Sequence, residues 1–308
     1  MASNFDEVYE QCVAVGLDIT RGENLGAHCT YRVGGAAQLF VEVHAIGDLE
    51  TISRVSKESN LPILVVGKGS NLLVSDAGFD GVVIKLGSEF DFVEITESSV
   101  RAGGITFMPI VARKSVDAEL KGFEWAVGVP GSIGGGVRMN AGGHGSDMAA
   151  SLTNVKLFDL DSGELLDKDP SELELGYRTS NVASHEIVIE ATIELEPGNY
   201  DESKAKLSEI VRWRRANQPG GQNAGSVFAN PENNHAAKLI QDAGLKGFSL
   251  DSAMVSDKHS NFIQAGADGS ADDVYRLIRH VQSVISDAHG IELRVENKLI
   301  GFDGDINP

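Results

Sequence analysis

Two glycine-rich turns about sixty residues apart constrain this chain more than any other feature. The first, Gly67-Lys68-Gly69-Ser70-Asn71, follows the apolar run Leu61-Pro62-Ile63-Leu64-Val65-Val66, which reads as a buried strand. The second, Gly128-Val129-Pro130-Gly131-Ser132-Ile133-Gly134-Gly135-Gly136, runs ahead of Asn140-Ala141-Gly142-Gly143. Glycine lets backbone N–H groups turn toward an anion and lets the anion come close. Two such turns in one chain predict two contact points on one long ligand, such as the pyrophosphate and ring of a dinucleotide. Neither turn matches the G-x-x-x-x-G-K-[ST] phosphate loop, and the first has Leu72 where a Rossmann fingerprint places its third glycine. The competing reading is that the glycines only mark tight turns.

At 308 residues the chain is long enough for about two domains. Lys and Arg number 26 against 45 Asp and Glu, a formal charge of −19. Such a chain has no general attraction for nucleic acid or an anionic membrane. An anionic substrate must then be collected by a few placed Arg or Lys residues against the overall field. No apolar run is long enough for membrane insertion. Residues 1–10 are acidic and lack the marks of a signal peptide. Only Cys12 and Cys29 occur, with no C-x-x-C, so a reduced, cytoplasmic setting is expected. The eight histidines show no ligand spacing, and no metal site is expected.

Residues 38–43, 61–66, 81–86, 155–160 and 186–195 read as strands. Asp48 is placed to cap a helix through about Ser59, and a second helix is expected over 106–120. Pro197-Gly198-Asn199 marks the main boundary, with a Lys/Arg-rich helix over 201–215 behind it. A short helix near 236–243 and a long one over 271–288 complete the pattern. In the long one Ser270 is the N-cap, Asp273 sits at the third position, and Val274, Leu277, Ile278, Val281 and Ile285 form the core stripe. Strands and helices alternate without a regular βαβ rhythm, so the expected class is α+β.

At this point several strings carry a family resemblance. They are Thr30-Tyr31-Arg32-Val33-Gly34-Gly35, Gly67-x-Gly69-Ser70-Asn71-Leu72-Leu73 and Val129-Pro130-Gly131-Ser132-Ile133-Gly134-Gly135. Tyr177-Arg178-x-Ser180, Gly225-Ser226-Val227-Phe228-x-Asn230-Pro231, Val255-Ser256-x-Lys258-His259-x-Asn261-Phe262 and the late Glu296 continue in the same order. Over about residues 20–301 the chain resembles the UDP-N-acetylenolpyruvoylglucosamine reductases, in their shorter subtype. The resemblance implies an FAD-binding domain of the vanillyl-alcohol-oxidase/PCMH type, built of two α+β subdomains, and a C-terminal α+β substrate-binding domain. The expected limits are 1–29 for an N-terminal segment, 30–197 for the FAD domain and 198–308 for the substrate domain, whose tail returns to the active site.

The same resemblance implies non-covalent FAD, NADPH as hydride donor, a UDP-sugar substrate in peptidoglycan synthesis, and a monomer. The family reaction adds hydride to C3 of an enolpyruvyl ether and a proton to C2. Such a site needs a cation at the carboxylate, a proton donor at C2 and a rigid face. Arg178 matches the family arginine, whose planar fork suits a carboxylate; on residues alone it reads rather as a surface ion-pair residue, and Tyr177 and Ser180 in register reverse that through the resemblance. Ser226 matches the proton donor, and otherwise reads as a turn serine. Glu296 matches the family glutamate, which either assists proton delivery or orients the carboxylate. In a strand Arg294 and Lys298 would share its face.

Gly67, Lys68, Gly69, Ser70, Asn71 and Leu72 are implied to bind the FAD diphosphate. Pro130, Gly131, Ser132, Gly134 and Gly135 are implied to wrap the rest of the diphosphate and the flavin. Asn140, Ala141, Gly142, Gly145 and Val188 extend that wall. Tyr177, Asn230, Lys258, His259 and Asn261 fall on the UDP-sugar side, with Lys258 as the point charge for a phosphate and His259 equally readable as a packed histidine. The chain departs from the family pattern at Gly136, Gly143-His144, Ala229 and Arg294-Val295, positions that bear on flavin-edge packing and substrate contacts. His144 near the flavin wall keeps a flavin-oxidase reading open. A non-catalytic nucleotide-binding protein is disfavoured because Ser226, Arg178 and Glu296 are all present.

Overall fold

The computed structural model describes residues 4–302. The chain divides into two compact units, and each is built from separated pieces of sequence. One takes the chain up to Gly22 with Gln38–Lys68 and Gly81–Arg214; the other takes Glu23–Ala37, Gly69–Asp80 and everything from Arg215 onward. This partition differs from a single break at residues 197–199. There Asn199 instead starts helix α5 (Tyr200–Asn217), its Oδ1 accepting from the Glu202 N–H at 3.1 Å. Most of that helix stays with the first unit.

The first unit contains two cores, each under its own sheet. A four-stranded sheet runs in the order Asp18–Asn24, Ala36–Val43, Phe79–Leu86, Ile63–Val65, with the last two parallel. Helices α1 (Asn4–Ala14) and α2 (Ile46–Ser59) supply Val8, Leu49, Ile52 and Val55 to the core it shares. Asp48 lies inside the first turn of α2, and its carboxylate accepts from the N–H groups of His44 and Ala45, so it caps from within.

A five-stranded sheet follows the order Glu164–Lys168, Leu152–Asp159, Glu186–Glu194, Ser99–Gly103, Val93–Ile95, antiparallel throughout. Its pairing slips between Lys156 and Leu157, opposite Ile189. Helices α3 (Met108–Asp117) and α4 (Ile133–Arg138) cover its core, in which Phe123 and Trp125 meet edge to face at 5.1 Å. The helix expected over 106–120 stops at Asp117 because Glu119 takes φ 59°, and Leu120–Lys121 then pairs as a strand with Glu196–Pro197.

The second unit has one core, formed by α6 (Ala236–Asp242), α7 (Ala271–His289) and the small sheet Ser249–Leu250, Ala253–Val255, Ile263–Ala265. All five stripe residues of α7 are fully buried. Burying such side chains stabilises by roughly 1.5–3 kcal/mol each. Ser270 caps α7 as expected, but the Asp273 carboxylate turns to the N–H and hydroxyl of Ser252. Asp76, distant in sequence, supplies the remaining acceptors at the α7 start, taking the Ala271 and Asp272 N–H groups at 3.0 Å. The C-terminal strand Lys298–Ile300 pairs in parallel with Leu72–Val74, the strand that leaves the first glycine turn.

Candidate active site

In the first unit the fold joins the start of the first glycine turn to the second. A Cβ on Gly67 would stand 2.5 Å from the Ser132 Oγ, so only a bare backbone fits there. Ser132 is buried and caps α4, its hydroxyl oxygen accepting from the Gly135 N–H at 3.3 Å. The N–H groups of Ile133, Gly134 and Gly136 go to the carbonyls of Thr106, Gly104 and Ser132. These N–H groups are spent within the fold, and half-buried Gly134 and exposed Gly135 leave a smooth, side-chain-free surface. Gly134 lies against the Val188 carbonyl, beside the slip in the sheet. Lys68 is half-buried and Pro130 exposed.

The wall beyond α4 is tied to the Tyr177–Arg178 turn. Asn140 is buried, with φ 37°; its Nδ2 donates to the Gly176 carbonyl at 2.9 Å and its Oδ1 accepts from the Ala149 N–H at 3.0 Å. Its amide is thus committed to shaping the wall. Gly142–Gly143 and Ser146–Asp147 form a tight hairpin whose two loop residues, His144 and Gly145, both have positive φ, as a primed turn requires. His144 is exposed and meets Trp213 edge-on at 5.2 Å. Partial burial of the ring against its neighbours and the nearby Arg214 charge hold its pKa below the usual histidine value.

Gly176 and Thr179 pair across a two-residue loop occupied by Tyr177 and Arg178. Arg178 takes φ 59°, an uncommon conformation for a side-chain-bearing residue. Its Nη2 donates to the Gly142 carbonyl at 2.7 Å, and its guanidinium stands 5.2 Å from the centre of the Tyr177 ring. Tyr177 itself is 58% exposed. Ser180 donates from Oγ to the Arg138 carbonyl at 2.7 Å, which fixes the turn to the end of α4.

The second unit holds the rest of the first turn. Gly69 has φ 60°, and a Cβ there would run into the His28 carbonyl. Its own carbonyl accepts from the Thr30 N–H at 3.0 Å. Ser70 and Asn71 are half-buried and Leu72 is buried. Cys29, packed beside Gly69, has its thiol pushed up to about 12 by burial, so it is an inert packing residue.

Ser226 and Glu296 are seventy residues apart in sequence and lie on adjoining antiparallel segments. Phe228 bridges Val295, and the Glu296 N–H donates to the Val227 carbonyl at 2.7 Å. Asn261 is buried, and both ends of its amide go to the Phe228 backbone, Nδ2 donating at 2.8 Å and Oδ1 accepting at 3.0 Å. That leaves it to serve a ligand through the segment it holds. Asn230 is exposed, and its Oδ1 accepts from the Ala236 N–H at the start of α6. Lys258 is exposed and donates to the Arg215 carbonyl. His259 is half-buried; burial lowers its pKa, its Nδ1 accepts from the Asn261 N–H, and its ring meets Phe262 at 4.8 Å. Asn297 escaped the sequence reading. It is 4% exposed and gathers Tyr31, Asn71, Ala224 and Ser226 around one amide. The available signal was a polar residue between Val295 and Leu299 on what alternation makes a buried face.

The bare Gly67–Ser132 contact and the smooth α4 surface suit a flat dinucleotide, and residues 37–168 match a family model described as an FAD binding domain. Fold and site together define an FAD-dependent oxidoreductase of the PCMH type. Residues 217–300 match a second model, the UDP-N-acetylenolpyruvoylglucosamine reductase C-terminal domain. A UDP-N-acetylenolpyruvoylglucosamine reductase of Anoxybacillus flavithermus is 39% identical over 92% of this chain and 94% of its own. The crystal structure of a UDP-N-acetylenolpyruvylglucosamine reductase from Thermus caldophilus, 31% identical, superposes with a TM-score of 0.80 over 92% of this chain and 98% of that one. The chain belongs to the UDP-N-acetylenolpyruvoylglucosamine reductase family. A 6-hydroxy-D-nicotine oxidase from Arthrobacter nicotinovorans, 13% identical with a TM-score of 0.55 over 92% of this chain and 89% of its own, shares the fold.

Proposed function

We propose that this chain reduces the enolpyruvyl ether of UDP-N-acetylglucosamine-enolpyruvate to the lactyl ether of UDP-N-acetylmuramate, for peptidoglycan synthesis, with NADPH as the electron source. The observation that carries the reading is the pairing of the Ser226 and Glu296 segments in a chain of this family. Bound FAD supplies the two-electron relay that takes hydride from NADPH and delivers it to the substrate.

The chain's own residues do the rest. Gly67, Lys68, Gly69, Ser70, Asn71 and Leu72 hold the diphosphate, and the bare Gly134 and Gly135 surface admits the ring system. Gly131, Ser132, Asn140, Ala141, Gly142, Gly145 and Val188 shape that wall. When C3 has become a methyl group, C2 carries an electron pair delocalised into the carboxylate. Arg178 neutralises that carboxylate with its fork, and the lock on the Gly142 carbonyl pre-orients the guanidinium. The Ser226 hydroxyl gives its proton to C2, and the resulting alkoxide recovers one from solvent. A hydroxyl is a weak acid, but an enolate-like carbon is a strong base, so placement matters more than acidity. Glu296 orients the carboxylate or assists the proton. Tyr177, Asn230, Lys258 and His259 face the UDP-sugar, and Asn261 fixes the backbone beside Ser226.

An anaerobic visible spectrum tests this. The purified protein should show a flavin band that bleaches with NADPH and returns when UDP-N-acetylglucosamine-enolpyruvate is added. A band that bleaches but ignores the sugar, and returns only in air, would replace this reading with the oxidase one.

A further inference from the structure

We propose that Asn297 is a positioning residue that couples the Asn71 turn to the Ser226 segment, so that occupation of the turn by the FAD diphosphate tightens the segment carrying the proton donor. The inference rests on the proposed reductase reading for its kinetic part and on FAD binding alone for its thermodynamic part.

Asn297 sits at the centre of a buried polar network. Its Oδ1 accepts from the Tyr31 hydroxyl at 3.2 Å. Tyr31 is fully buried, and burial pushes its phenol far up, so it stays a donor at all working pH. That donor fixes which end of the Asn297 amide points where. Nδ2 then faces three acceptors: Asn71 Oδ1 at 2.9 Å, the Ala224 carbonyl at 3.0 Å and the Ser226 carbonyl at 3.4 Å. An amide nitrogen has two hydrogens. Three oxygens therefore compete for two donors, and the Ser226 carbonyl, the most distant, has the weakest hold.

Asn71 is the partner a ligand can move. Its Nδ2 already donates to the Glu296 carbonyl at 3.1 Å, and its own carbonyl accepts from the Lys298 N–H at 2.8 Å. A diphosphate at the Gly69–Leu72 turn offers acceptors to the second Asn71 N–H. Rotation of that amide toward an anion draws Oδ1 away from Asn297. The freed Asn297 hydrogen then passes to the Ser226 carbonyl, in a network where leaving it unpaired is costly. Coupling of this kind is reciprocal: whatever weakens the Asn297 contact with the Ser226 carbonyl must weaken the hold on the diphosphate.

The test uses Asn297→Asp, which keeps the shape but turns the donor end into an acceptor, with Asn71→Ala and the double variant. In titrations of the apo-protein with FAD, Asn297→Asp should weaken binding about tenfold, and in the Asn71→Ala background its effect should shrink to about twofold. With saturating FAD, bleaching by NADPH should stay within about twofold of the parent. Reoxidation by UDP-N-acetylglucosamine-enolpyruvate should slow about tenfold to a hundredfold and gain a solvent deuterium isotope effect, because proton delivery becomes limiting. Additive effects on FAD affinity, or equal losses in both half-reactions, overturn the proposal. Tyr31→Phe removes only the donor to Oδ1; it takes the place of Asn297→Asp under the same criteria if that variant does not fold. Should the parent enzyme itself ignore the sugar, the reductase reading falls, and the FAD titrations still decide the coupling.

Discussion

At the residue scale the site depends on side chains held by backbone contacts rather than by one another. Arg178 shows this best. It occupies a left-handed conformation, costly for arginine and tolerated where the surroundings over-determine it. Here they do: the Gly176–Thr179 pair closes the loop, Ser180 ties it to Arg138, and the guanidinium donates to Gly142. Holding one edge of the guanidinium fixes its plane, so less freedom is lost when it meets a carboxylate. Lysine offers a point charge instead of that fork. Arg178→Lys should therefore leave bleaching by NADPH close to parental. It should slow reoxidation by the enolpyruvyl sugar by about tenfold to a hundredfold, the size of one lost charge-assisted hydrogen bond. Stopped-flow absorbance separates the two steps, and equal slowing of both would remove Arg178 from the substrate carboxylate.

At the scale of elements, α5 shows how a buried charge fixes a helix. Glu124 is 3% exposed and lies just before the second glycine turn. Burial alone would raise its carboxyl pKa. The Ser203 hydroxyl at 2.7 Å, the Gly122 N–H at 3.0 Å and Lys206 outweigh burial and hold it below the usual glutamate range. A depressed folded pKa means that its stabilisation is present above the unfolded value, near about 4.3, and is lost as pH falls through the folded one. Glu124→Gln should cost about 1–3 kcal/mol at neutral pH, and the gap in Tm should narrow as the pH drops below about 4.5. A gap that stays constant across that range would assign the effect to packing. Elements of this kind were only partly legible in the sequence. The α7 stripe and its Ser270 cap could be read because both follow from local spacing. The Asp76 contribution to that cap, the early end of α3 and the Asn297 network could not, because their partners lie far away in the chain. The glycine turns announced a dinucleotide, while the commitment of the Ile133 and Gly134 N–H groups to the Thr106 and Gly104 carbonyls appears only once that distant segment is in place.

At the scale of the whole molecule the governing quantity is charge. The chain passes back and forth between its two units, so neither is a single stretch of sequence, and the net −19 is spread over both. Like charges at this density raise the free energy of the compact state. Against this stand ion pairs such as Arg101 with Glu94 and Glu190, or Arg21 with Asp6, most of whose side chains are well exposed. Exposed pairs contribute about 0–1 kcal/mol each and weaken with salt. Diffuse repulsion acts over a Debye length of about 30 Å at 0.01 M salt, which shrinks to about 8 Å at 0.15 M. The longer-range repulsive part therefore has more to lose on screening than the short-range pairs do. Raising sodium chloride from about 0.01 to 0.15 M should lift Tm by about 1–2 °C, the shift expected for roughly 1 kcal/mol in a chain of this size. The experiment is a thermal melt with FAD bound and saturating throughout, so that cofactor loss does not enter. A Tm that falls with salt would mean that the attractive networks outweigh the excess of acid, and that the negative charge is balanced locally rather than tolerated.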